Sequence, residues 1–83
     1  MEEDRRFEIE LANELINLAN DKQAAGADPT AIAAAYRHAA ANFTAYAYAQ
    51  VTNKRLATKR ITKDFRQQLE FYDKRHRGDT PSK

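Results

Sequence analysis

The chain has no cysteine and no tryptophan, and only two glycines, two prolines and one serine among its 83 residues. Each scarcity excludes something. Without cysteine there is no disulfide framework, no thiolate zinc site and no thiol nucleophile. The single serine, Ser82, lies in the closing segment Gly78–Lys83, with no Gly-x-Ser-x-Gly around it, and no glycine-rich phosphate loop occurs in the chain. The glycines and prolines stand at Gly26, Pro29, Gly78 and Pro81, which is the punctuation of a helical protein. There is also no long apolar run. Ala31–Ala49 comes nearest, but Arg37, His38, Asn42 and Thr44 interrupt it, and a span needs about 20 predominantly apolar residues. The opening Met1-Glu2-Glu3-Asp4 is acidic where a secretory signal would be basic and then apolar. The expectation is a cytoplasmic protein with no membrane segment.

What the chain has in excess is alanine. Ten of the 19 residues from Ala31 to Ala49 are alanine, with Tyr36, Phe43, Tyr46 and Tyr48 set among them. Asp28 precedes this stretch as a favoured helix N-cap, and Pro29 fits the first helical position, where its missing N–H is not needed. A helix is expected from 29 to about 52, with Ile32, Tyr36, Ala39, Phe43 and Tyr46 on a core-like face. Its opposite side, Ala34, Arg37, Ala41, Ala45 and Tyr48, is small enough for a close helix–helix approach. Before it, Phe7, Leu11, Leu15 and Leu18 repeat at helical spacing over about 3–23, and Gly26 is placed to end that helix. Ile9, Ala12, Ile16 and Ala19 widen the apolar arc to roughly 200°, twice the stripe of an ordinary surface helix. A third helix is expected over about 57–76 from Ile61, Phe65, Leu69, Tyr72 and His76, with i,i+4 pairs Arg60–Asp64, Arg66–Glu70, Glu70–Lys74 and Asp73–Arg77. Residues 78–83 read as a disordered tail.

These elements predict a single all-α domain over 1–77, a three-helix bundle with a long alanine-rich central helix. A domain this small is marginally stable alone, and the supplements left to it are idealised packing and oligomerisation. A helix of 24 residues spans about 36 Å, more than a compact domain of this length offers. The fold is therefore elongated or completed by a second copy, and a two-fold homodimer is the expected partner.

Charge is unevenly placed. Residues 1–50 hold four basic and eight acidic side chains, net −4, and residues 51–83 hold ten basic and four acidic, net +6; together they make the formal +2. Lys54, Arg55, Lys59, Lys63 and Arg66 form a basic run of the kind that contacts nucleic-acid phosphates. It lacks a recognition-helix signature, and acidic residues follow it closely. The stronger expectation is that this charge faces the acidic first helix, within the chain or across a dimer. Neither His38 nor His76 has a second ligand in an acidic setting, so no metal and no cofactor are expected. Glu10 and Glu14 read as a solvated pair rather than an acid/base site. Asn13, Asn17 and Asn20 make a row of poor helix formers on one face, read here as solvated, with a polar interface as the alternative.

Three clusters carry a family likeness: Leu18-Ala19-Asn20 in the first helix, Ala35-Tyr36 and Ala40-Ala41-Asn42-Phe43 with Ala45 in the second, and Phe65, Leu69 and Tyr72 in the third. On these the chain resembles a family of small, uncharacterised bacterial helical proteins classed as a domain of unknown function. The resemblance implies an all-helical fold and no assigned activity. The reading is therefore a non-enzymatic interaction module that self-associates through helices one and two. Its interface candidates are Ile9, Ile16, Ala34, Ala41, Ala45 and Tyr48. The alternative is a basic-faced nucleic-acid-binding protein using the Lys54–Arg66 region.

Overall fold

The computed structural model describes residues 2–78, and apart from Gly78 the expected disordered tail lies outside them. The described residues are all-α: α1 runs Glu2–Ala24, α2 Pro29–Tyr46 and α3 Thr58–Arg77, with a π-helical segment Ala47–Thr52 directly after α2. No strand occurs among them. By contact the chain divides into two compact units, Met1–Tyr46 and Ala47–Lys83, and each has its own local logic.

The first unit is a helical hairpin. The backbone N–H of Gly26 donates to the Gln23 carbonyl at 2.9 Å and that of Ala27 to the Lys22 carbonyl at 3.0 Å, the paired bonds of a Schellman ending. Gly26 takes φ +106°, a conformation open to glycine and strained for other residues. Asp28 then starts α2. Its Oδ2 accepts from the Thr30 hydroxyl at 2.6 Å and from the Ala31 N–H at 3.3 Å, and its carbonyl accepts from the Ile32 N–H at 3.0 Å. Four residues thus turn the chain between antiparallel neighbours. Close backbone approaches between α1 and α2 are concentrated beside this turn. Farther along, the Tyr36 hydroxyl reaches across and donates to the Leu15 carbonyl. Ala19, Ile32, Tyr36 and Thr44 are half-buried.

The second unit begins where the expected helix changes character. The sequence reading carries an α-helix to about Thr52, but the α-helical bonds stop at Tyr46 and six residues continue with π geometry. The reason is local. Tyr48, Val51 and Thr52 are weaker helix formers than the alanines before them. The Tyr48 carbonyl is taken by the Thr52 hydroxyl at 3.2 Å and by the Lys54 N–H at 3.0 Å. Asn53, at φ +55°, closes the segment; asparagine is one of the few residues that enters this region readily.

α3 starts without a side-chain cap at Ala57 and ends at Gly78, φ 73° and ψ 17°, whose N–H donates to the Arg75 and Lys74 carbonyls. Lys74, Arg75, His76 and Arg77 fill its last turn, where cations favour the helix dipole. Of the four expected i,i+4 pairs, Asp73–Arg77 forms, with Nε to Oδ1 at 2.8 Å, and it is the one ion pair among the described residues. The others stay apart because an exposed pair gains only about 0.2–0.5 kcal/mol, too little to fix two long side chains.

No described residue is fully buried. The expected core face of α2 is accordingly covered only in part. Ile32 and Tyr36 are shaded, but Phe43 is 67% exposed and stacks only on Tyr46, with ring centres 5.4 Å apart and planes tilted by 48°. A two-helix hairpin has one seam, and Phe43 lies outside what that seam shades.

Candidate interaction surfaces

The hairpin carries the first surface. Ile9 and Ile16 are seven residues apart, two turns of α1 on one face, and they are 53% and 55% exposed. Ala34, Ala41 and Ala45 are exposed on α2 at matching helical intervals. Tyr48, the sixth interface candidate, falls in the π-helical segment of the second unit and is half-buried there. Phe7, Leu11, Leu15 and Leu18 complete the apolar arc of α1 and are also exposed, Phe7 by 66%. Covering a large aliphatic or aromatic side chain fully is worth about 1.5–3 kcal/mol. The six large apolar side chains of α1, each around half exposed, therefore hold about 5–9 kcal/mol that a covering partner could realise. That is on the scale of the whole stability of a small domain.

The second unit carries a different surface. Lys54 and Arg55 lie in the connection after Asn53, and Lys59, Lys63 and Arg66 share a face of α3; all five are exposed and none is ion-paired among the described residues. Ile61 is half-buried, while Phe65, Leu69 and Tyr72 are exposed along the apolar stripe.

The sequence reading passed over Phe71. It stands off the stripe of α3, more than half exposed, with its ring 5.0 Å from that of Tyr72 and edge-on at 80°. The Arg75 guanidinium lies 6.0 Å from its centre, a contact worth about 0.5–1 kcal/mol at an exposed site. Gln67, Glu70, Phe71 and Lys74 line an open depression of about 310 Å³. The signal was available: two adjacent aromatics cannot both occupy a narrow helical stripe, so one of them must face elsewhere.

The Asp28 carboxyl is held below the usual aspartate value, first by the Thr30 hydroxyl and then, against some desolvation, by the Ala31 and Thr30 N–H groups. That is the signature of a cap. Among the described residues no three of His, Asp or Glu converge as a metal site. His38 and His76 are exposed, as are Asn13, Asn17 and Asn20. No helix of the described residues is long and apolar enough to cross a membrane.

Residues 9–78 match the model of a family described as "Protein of unknown function (DUF3144)", which bears out the expected kinship with an uncharacterised helical family. No curated protein and no solved structure matches the chain.

Proposed function

The chain belongs to the DUF3144 family, and for this member we propose a non-catalytic, cytoplasmic protein–protein interaction module that self-associates as a homodimer through α1 and α2. The observation that carries the reading is the exposure of both flanks of α1, Ile9 and Ile16 together with Phe7 to Leu18, beside an exposed alanine row on α2. A second hairpin laid on these faces gives a bundle of four helices, an arrangement built from core positions of this kind. The alanines at 34, 41 and 45 allow backbone approach near the short end of the usual 8–10 Å range. Size-exclusion chromatography with light scattering tests this. A species near the 9.5 kDa of one chain at high micromolar concentration overturns it. Ala41→Glu places a carboxylate in the packed face and is expected to abolish association while leaving the single helices intact.

The second reading is a nucleic-acid-binding protein. It is favoured by one observation, the exposure of Lys54, Arg55, Lys59, Lys63 and Arg66 without ion pairs. It requires binding of DNA or RNA that weakens steeply with salt. Absence of any retardation at low salt removes it.

A further inference from the structure

We propose that α3 of one copy lies along α1 of a second copy, so that the basic row of α3 meets the acidic row of α1. This rests on the self-association proposed for the hairpin and names a second element that takes part in it.

The charge of the chain divides with its two units. Met1–Tyr46 contains four basic and eight acidic residues, net −4, and Ala47–Lys83 ten basic and four acidic, net +6. Within the first unit the acids are ordered. Glu3, Glu10, Glu14 and Asp21 recur at intervals of seven, four and seven, which sets them in one row along α1 beside Phe7, Leu11 and Leu18. Within the second unit, Lys59, Lys63 and Arg66 form a row along α3 beside Ile61, Phe65 and Leu69. All seven charged residues are exposed, and none of them is ion-paired among the described residues. Asp73, by contrast, is already taken by Arg77. Glu70, seven residues after Lys63 and four after Arg66, and then Asp73 interrupt the later part of the α3 row, so its basic stretch is Lys59–Arg66. Each helix presents an exposed apolar stripe flanked by charge, acidic along α1 and basic over the first half of α3.

Such flanking rows decide which helices pair and in which direction. The acidic row lies on one side of its stripe, and the basic row lies on the opposite-handed side of its own. Opposite-handed flanks meet when the two helices run parallel, so α3 runs parallel to the α1 it covers. A symmetric pair makes the contact twice.

The test uses two full-length variants, Glu10→Lys/Glu14→Lys and Lys63→Glu/Arg66→Glu. Every substituted residue is exposed, and far-UV circular dichroism verifies that helix content is kept. Each variant alone is expected to self-associate at least about tenfold more weakly than wild type, because like charges then face each other. Mixed in equal amounts, they are expected to recover association close to the wild-type Kd. Wild-type Kd is also expected to rise between about 0.05 and 0.5 M salt. Failure to recover on mixing, or a salt-independent wild-type Kd, overturns the proposal. Variants that dimerise with unchanged Kd remove this contact and leave the hairpin interface standing, whereas a monomeric wild type removes both.

Discussion

Replacing Ile16 by alanine tests the hairpin surface most directly, because its magnitude follows from the geometry. Ile16 is 55% exposed in the single chain. Burying an isoleucine completely contributes about 1.5–3 kcal/mol, so the uncovered part leaves about 0.8–1.6 kcal/mol for a partner to realise. In a two-fold dimer the residue occurs twice, which raises the difference to about 1.6–3 kcal/mol, or roughly 15- to 200-fold in Kd. Alanine keeps Cβ, so Ile16→Ala is expected to weaken dimerisation by roughly 10- to 100-fold. Alanine is also the best helix former, so helix content extrapolated to low concentration should not fall. Sedimentation equilibrium over a concentration series measures both states. A Kd within about twofold of wild type refutes the placement of Ile16 in the interface. A loss of helix content at every concentration assigns Ile16 to packing within the single chain instead.

Three further outcomes follow from the hairpin. Tyr36→Phe removes the hydroxyl that donates to the Leu15 carbonyl and should cost about 0.5–1.5 kcal/mol, a fall of roughly 4–8 °C in Tm per kcal/mol; an unchanged calorimetric Tm shows that this bond contributes nothing. Gly26→Ala adds a Cβ that meets nothing within 4 Å, at a residue with φ +106°. The penalty is then backbone strain alone, about 1–2 kcal/mol, read as a lower urea midpoint at constant slope, and a raised midpoint contradicts the turn. The Asp28 carboxyl is held below its ordinary value in the folded state. Its contribution is therefore complete above the unfolded aspartate value near about 3.9 and is lost as pH falls through the lower folded value. Asp28→Asn keeps a capping side chain and should match wild type at neutral pH while showing a shallower loss of Tm below about pH 4; identical acid limbs for the two proteins refute this.

The helices were legible because their signals are local. Asp28-Pro29 marks the start of α2 to the residue, and Gly26 supplies the ending of α1 with its two reversed hydrogen bonds. The end of α2 was not legible. The alanine-rich pattern continues through Ala47 and Ala49, and a helical period alone does not separate α from π bonding. In the π-helical segment the Tyr48 carbonyl accepts from both the Thr52 hydroxyl and the Lys54 N–H, an arrangement of a few atoms that residue spacing does not record. The ion pairs of α3 were over-read for a similar reason. Spacing permits four, but solvent competes with each, and only the Asp73–Arg77 geometry is realised.

The candidate surfaces were legible as faces and not as contacts. Periodicity places Ile9 with Ile16, and Phe7 with Leu11 and Leu18, on α1, but it does not say how many neighbours those faces need. The hairpin supplies that number. One adjacent helix shades one narrow strip, Ala19 of α1 with Ile32 and Tyr36 of α2, while Phe7 and Phe43 stay about two-thirds exposed. An apolar arc of roughly 200° is twice the width that a single neighbour covers. α1 therefore keeps apolar surface that α2 does not cover. It lies on the Ile9/Ile16 flank and along the acidic edge of the Phe7–Leu18 stripe. In the proposed assembly a second hairpin covers the former and the basic α3 of a partner copy the latter, so Ile16→Ala and the charge-reversal pair examine opposite edges of the same helix.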